Sequence, residues 1–313
     1  MTKDQRERLV LTLLRYTTPI MFIVIFLFFG LQSPRFLELE NISNIVKQAS
    51  FIGIVAIGMT FVLLTAGIDI SVGSIMYLAP LIAGLLMRNQ GFGVAPALLV
   101  ALVAGAIMGL INAFFIVRLR ISPFLVTLAT LFFFRGAGTF LTSSRSLDFP
   151  RELIDFGLIN ILGIPLPIVV FVGLILIAHI VLTRTPYGRQ IYAIGYDRET
   201  AEKAGVPTKR IIMSVYVISG ICAAIGGFIL ISQIGRLDQS FGEEYEFQVI
   251  AAAVLGGASL FGGVGTAFGP LIGATLVKMV QAGLVFTNVN LYLQPMVEGV
   301  IIFLAMFFDS LRT

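Results

Sequence analysis

Apolar residues in this chain come in long blocks, not in the alternating or one-sided spacing of a half-buried strand or surface helix. The blocks that reach or nearly reach spanning length are 16–32, 43–66, 71–87, 94–117, 123–141, 164–182, 211–231, 247–261, 266–283 and 291–308. A bilayer core of roughly 30 Å needs about 20 such residues per helix. The pattern predicts an all-α, polytopic membrane helix bundle with about ten transmembrane helices. Blocks 71–87 and 247–261 are short and rich in glycine, which predicts broken or re-entrant helices. No Pro/Ser-rich linker interrupts the blocks, so residues 1–313 are expected to form a single transmembrane domain.

The polar residues between blocks set an orientation. Lys and Arg gather on the cytoplasmic side of membrane proteins. With both termini inside, thirteen of the 21 basic residues fall on the inner side, six fall outside, and Arg135 and Lys278 lie within spans. This predicts N-in/C-in topology with a cytoplasmic loop at 183–210. Lys3, Arg6, Arg8 and Arg15 precede the first block as they would in a signal peptide. No small-x-small cleavage site follows Phe29, so that span is expected to be retained. The outer loop 142–163 has an amphipathic middle that predicts a short surface helix.

Composition supports this picture. The chain is 58% hydrophobic and 12% charged, with a mean hydropathy of +0.99, whereas a soluble domain carries about a quarter charged residues. The net charge of +4 is accounted for by topology and does not mark a nucleic-acid surface. The single cysteine, Cys222, excludes an internal disulfide and any multi-cysteine metal site. The single histidine, His179, lacks partners for a metal site or a triad and is expected to be packed or interfacial. No G-x4-G-K-[ST] phosphate loop occurs, so any ATP that drives this protein binds another polypeptide.

Three segments carry candidate function. In the loop 183–210, Asp197 is a plausible N-cap for the helix-forming run RETAEKA, which Gly205 stops before Pro207. The loop is either an ordinary solvated connection or a docking element. In LTAGIDISVGS, Leu64 to Ser74, the residues Gly67, Asp69, Ser71 and Gly73 sit where a lipid-facing helix would have none of them. An intramembrane aspartate is functional by default; a helix cap near Val72 is the other reading. In VLGGASLFGGVGTAFGPLIGA, Val254 to Ala274, the residues Gly256, Gly257, Gly262, Gly263, Gly265 and Gly269 predict close packing and a helix break. A nucleotide fingerprint is excluded because no βαβ context surrounds them. At an offset of about 190 residues, Gly67, Gly73 and Pro80 face Gly257, Gly263 and Pro270, which suggests an internal repeat. Finally, Arg135, Lys278 and Glu298 lie at similar depth near the outer face. Snorkelling is one account of them, and an ion pair between Lys278 and Glu298 is the favoured one.

Glu199-Thr200-Ala201, three residues and Gly205 resemble the EAA-x3-G coupling loop of ABC-importer permeases, with Thr200 where the motif has alanine. The preceding Gly188 to Gly195 is similar to the lead-in of the ribose-type branch. Leu64 to Ser74 resembles that family's G-x-D-[LI]-S-V-G signature, and Val254 to Ala274 its late glycine-rich signature. The resemblance implies the inner-membrane permease of a bacterial sugar importer that performs no covalent chemistry. Its implied partners are an ABC ATPase carrying ATP and Mg, an extracytoplasmic sugar-binding protein, and a second permease copy. It implies ATPase coupling through Glu199, Thr200, Ala201 and Gly205, with Glu199, Ala201 and Gly205 at the contact. A permease for a nucleoside, polyol or branched-chain amino acid, or an ion-coupled secondary transporter, are the alternatives.

Overall fold

Within a bilayer the backbone must satisfy its own polar groups, and a helix does so within one segment. The computed structural model describes residues 17–287, 289–293, 295–297, 299–300 and 303. It contains α1 (Thr17–Gln32), α2 (Leu39–Leu64), α3 (Val72–Gln90), α4 (Val94–Arg118), α5 (Pro123–Thr142) and α6 (Arg151–Gly157). These are followed by α7 (Leu166–Arg184), α8 (Pro186–Tyr196), α9 (Arg198–Lys203), α10 (Thr208–Ile234), α11 (Tyr245–Leu255) and α12 (Gly269–Phe286). Prolines occupy the first turns of α5, α7, α8 and α12, where a missing N–H costs nothing and the ring fixes a helical φ.

Seven of these helices, α2 to α5, α7, α10 and α12, are long and apolar enough to cross a membrane. The molecule is an all-α polytopic membrane bundle. Most helix ends lie within a few residues of the apolar blocks. The run 247–261 departs from expectation: α11 has 11 residues, about 16 Å at 1.5 Å per residue, and residues 256–268 form a glycine-rich loop. The run 71–87 departs the other way, since α3 is a 19-residue helix whose irregular part precedes it at Thr65–Ser71. The run 291–308 falls largely outside the described residues. The repeat register does not hold either. Pro80 lies deep inside α3 while Pro270 sits in the first turn of α12, so the matching glycines do not occupy equivalent helix positions.

Helices α2 and α10 lie at the centre, with α10 packed on α4, α2 and α3, and α2 packed on α12, α11 and α7. The central pair is mostly buried, whereas α4, α5 and α7 turn most of their apolar surface outward. Helices α4 and α10 approach closely along a run of glycines. A Cβ on Gly105 would run into the Gly220 carbonyl, one on Gly220 into the Gly105 carbonyl, and one on Gly109 into the Tyr216 carbonyl. In lipid such contact matters because no hydrophobic drive separates helix from solvent tails, and association rests on packing.

Two short ribbons finish the end opposite α8 and α9: β1 (Leu147–Asp148) pairs antiparallel with β4 (Arg236–Leu237), and β2 (Asn160–Ile161) pairs with β3 (Ile164–Pro165). Between them α6, the expected surface helix, is fastened to α10. Leu153 is buried, Gly157 abuts the Ser232 backbone, and Gln233 Nε2 donates to the Gly157 carbonyl.

Overpacking a tight contact costs roughly 1–3 kcal/mol. Gly220→Val is expected to lower the melting temperature of the purified permease in detergent, whereas Gly136→Val, at a helical position facing open space, leaves it unchanged. Equal melting of the two variants would mean that the α4–α10 approach does not hold the centre together.

Candidate coupling and translocation site

The α2–α3 break is built around one carboxylate. Helix α2 ends where the Thr65 hydroxyl folds back onto the Val62 carbonyl at 2.9 Å, and the chain then turns through Ala66 at φ 56°. Asp69 follows, fully buried. Its Oδ1 accepts from the Ser71 amide at 3.1 Å and the Ser71 hydroxyl at 2.6 Å, and its Oδ2 accepts from the Ser219 hydroxyl at 2.8 Å. Asn112 Nδ2 donates to Ser71 Oγ at 2.8 Å, and Thr130 Oγ1 donates to Asn112 Oδ1 at 2.6 Å. Tyr216 donates to the Ile68 carbonyl at 3.2 Å. One connected network thereby joins the break to α4, α5 and α10.

Of the two residues read as possible caps for α3, Asp69 accepts from the Ser71 amide at its start. Ser71 stands at the N-cap of α3, but its side chain makes no capping bond. The Asp69 carboxylate is buried among its donors and bonds the break to α10, so it clamps the two together. The clamp's other members, Asn112, Thr130, Ser219 and Tyr216, went unnoticed in the sequence. The available signal was a lone hydrogen-bonding side chain inside an otherwise apolar span.

The three sequence segments meet at the α8–α9 end. The Gly263 amide donates to the Leu64 carbonyl at 3.1 Å, which ties the glycine loop to the end of α2. Gly195, in the last turn of α8, fits between them: a Cβ there would run into Leu64 O and the Gly263 amide. Tyr192 of α8 donates to the Gly265 carbonyl at 2.8 Å. The loop can take this path because Gly257, Gly262, Gly263 and Gly265 have φ of 92°, 91°, 71° and 156°, conformations open to residues without a Cβ. At its ends Gly256 and Gly269 press backbone to backbone. Gly67 and Gly73 are similarly confined, the first beside Tyr216 and the second beside Glu246 and Gly242.

Helix α9 has a complete set of caps. Asp197 Oδ1 accepts from the amides of Glu199 and Thr200 at 2.9 and 3.1 Å, and Oδ2 accepts from the Thr200 hydroxyl at 2.7 Å. Threonine at the motif's alanine position therefore has a local purpose. At the other end the amides of Gly205 and Val206 donate to the carbonyls of Glu202 and Ala201, both at 3.0 Å, with Gly205 at φ 83°. This is the Schellman pattern of a glycine-terminated helix. Ala201 departs from the contact expected of it, since its methyl is buried against the chain itself. A small residue there lets α9 lie flat on its own protein, and the outward face is formed by Glu199, Thr200, Glu202 and Lys203. Glu199 and Lys203 pair at 2.7 Å on that face, both about three-quarters exposed, which contributes only a few tenths of a kcal/mol.

Two of the three intramembrane charges lie among the described residues. Lys278 is buried, donating to Gln248 Oε1 at 2.9 Å and Gln281 Oε1 at 2.8 Å, with its amine 5.6 Å from the Tyr245 ring centroid. Glu298, its expected partner, lies outside the described residues. Arg135 does not snorkel to open water: its Nη1 donates to the carbonyls of Gln239 at 3.0 Å and Phe241 at 2.6 Å. A further charge, Glu246, is buried in the first turn of α11. By hydropathy the apolar run begins one residue later, at Phe247, which leaves Glu246 outside it. His179 packs its ring 4.9 Å from that of Phe268, Cys222 is buried, and no cluster of metal-ligating side chains occurs among the described residues.

A bundle with two helix breaks joined to a capped surface helix defines a membrane permease. Residues 41–306 match the model of the family described as the branched-chain amino acid transport system / permease component, and the chain belongs to that family. It is 36% identical to the ribose import permease protein RbsC of Bacillus subtilis over 90% of this chain and 88% of that one. It is 33% identical to the D-allose transport system permease protein AlsC of Escherichia coli over 95% and 92%. To the autoinducer 2 import system permease protein LsrD of Photorhabdus laumondii it is 32% identical over 90% and 87%. No solved structure matches it. The protein is a multi-pass permease of the inner membrane.

Two tests follow from this geometry. Asp69→Asn puts a donor where three donors already point, and a mismatched buried group costs about 1–3 kcal/mol. The variant is expected to melt earlier and to lose uptake for every substrate alike. Normal melting with an altered substrate range would instead make Asp69 a substrate contact. The second test concerns pH. The hydroxyl and amide of Thr200 hold the Asp197 carboxyl below its usual range, so the cap's contribution is present above the ordinary carboxylate value and disappears as pH falls through the lowered one. Amide exchange at Thr200 should be protected at neutral pH and lose protection only below that ordinary value, and Asp197→Asn should flatten the transition.

Proposed function

We propose that the whole chain is one permease domain that carries a monosaccharide through an ATP-driven importer, oriented with α8 and α9 in the cytoplasm. ATP and Mg are bound by a separate ATPase, an extracytoplasmic binding protein delivers the sugar, and a second permease copy completes the path. The observation that carries the reading is the seat of Gly195 between Leu64 and Gly263. Through it, the lead-in helix, the α2–α3 break and the glycine loop share one contact. Helix α9 presents charged side chains outward, and α8 is a rigid rod about 16 Å long behind it. A push on α9 therefore reaches both breaks without passing through flexible chain, and a bistable break is what alternating access requires. The relatives named for ribose and allose favour a polyhydroxylated substrate.

The exposed face of α9 tests this. Glu199→Arg reverses a charge on a surface that buries nothing in the bundle, and like-charge contact across an interface costs several kcal/mol. The variant is expected to insert and melt normally while substrate-stimulated ATP hydrolysis by the assembled importer falls by about tenfold or more. Gly205→Val, which forces a branched residue to φ 83°, is expected to lower both. Wild-type uptake in Glu199→Arg would remove α9 from the docking surface.

A further inference from the structure

Beyond the ribbon, residues 238–244 leave the end of the molecule and run down beside α3 and α5 before α11 begins. The depth of this strap is fixed by its contacts. Gly242 packs on the Gly73 carbonyl in the first turn of α3, and Phe241 is buried. A turn at Asp238, whose carboxylate accepts from the Ser240 amide at 3.0 Å, starts the descent. The side chains that hold the strap are few: Gln239 Nε2 donates to the Ser144 carbonyl at 2.8 Å, and Arg135 holds the carbonyls of Gln239 and Phe241. The guanidinium also lies over the Tyr77 ring, 5.1 Å from its centroid.

Directly below the strap, Glu246 is 7% exposed, and its Oε2 has no hydrogen-bond partner, nor has the Tyr77 hydroxyl. That oxygen rests against Gly73, where a Cβ would displace it. Glu246 and Glu243 are the carboxylates whose charge acts on Arg135, yet the two bonds that its Nη1 makes go to backbone carbonyls. Buried acceptors without donors are rare and call for an explanation. A guanidinium has five N–H donors and matches a carboxylate bidentately.

We infer that Arg135 is the gating residue of the extracytoplasmic entrance. With the strap down, Arg135 closes it by holding Gln239 and Phe241, and Glu246 Oε2 goes without a donor. With the strap lifted, the guanidinium turns to the Glu246 carboxylate and the path beneath Phe241 opens. With the strap down Glu246 Oε2 is unmet, and with it lifted Gln239 and Phe241 lose their bonds to Nη1, so each state gives up contacts that the other makes, as a switch needs. The inference rests on the transport reading above and adds to it a residue that decides access from the outside.

The test uses the assembled importer in intact cells. With Cys222→Ala removing the single cysteine, Phe241→Cys reports strap opening to a membrane-impermeant thiol reagent, and Ser240→Cys, at an exposed position, controls for reagent access. Arg135→Ala is expected to raise labelling at position 241 by about tenfold, since closure loses its tie. Glu246→Gln is expected to lower labelling below the parent, because the open state loses its partner, and to slow uptake with the complex intact. Arg135→Lys, which keeps the charge without the fork, should lie between Arg135→Ala and the parent and serves if Arg135→Ala does not assemble. Labelling unchanged in the assembled Arg135 variant, or moved in the same direction by both substitutions, overturns the inference. A parent that imports sugar without these responses rejects the gate alone; a parent that shows them but imports no sugar rejects the substrate reading and leaves the gate standing.

Discussion

Both oxygens of the buried Asp69 carboxylate are met by donors, and those donors determine how this permease is put together. Ser71 comes from the break itself, Ser219 from α10, and Asn112 and Thr130 extend the chain of bonds to α4 and α5. Low dielectric strengthens each of these bonds and makes each missing one expensive. The break between α2 and α3 is therefore a defined piece of backbone, tied to α4, α5 and α10. Everything attached to it inherits that definition: the Leu64 carbonyl is in place to receive Gly263, and Gly195 is in place to sit between them.

Packing supplies the second constraint. Helices in lipid gain little from hiding apolar surface, so the centre depends on contact area between backbones. The Gly105–Gly220–Gly109 approach brings α4 and α10 together closely enough for Asn112 and Ser219, on those same helices, to reach a common network. Outside this centre the helices are generic. α4, α5 and α7 present phenylalanine, leucine and isoleucine outward with no pattern beyond apolarity, as lipid contact asks.

Much of the fold was legible because lipid imposes one simple rule on composition. Helix ends at α4, α5 and α7 fall within about two residues of their apolar blocks, and the cap at Asp197 and the stop at Gly205 follow from side-chain chemistry alone. What escaped was decided by tertiary context. Apolarity continues past Leu255 into Ala258 and Leu260, so the block could not reveal that α11 ends at half a span. Glu246 looks like a loop residue by position and becomes a buried one only because the strap carries the chain inward before the helix starts. Ala201 shows the same limit: a small residue in a motif signals close approach, and only the packing tells that the neighbour is its own chain. Asn112 and Thr130 were visible as isolated polar residues, but nothing in their spacing, 18 residues apart, announces that they bond.

Helix α10 joins two parts of the molecule that have been described separately. It starts at Thr208, just past the turn that ends α9, and its 27 residues reach Ile234, where α6 and the β1–β4 ribbon are fastened to it. About 40 Å of continuous helix thus has α9 at one end and α6 with the β1–β4 ribbon at the other, with the Asp69 clamp bonded to Ser219 between them. A rod of this kind does not relay a signal residue by residue. Under the proposed coupling it would tilt as one body about its clamp, so that a displacement at one end reaches the other in the opposite sense.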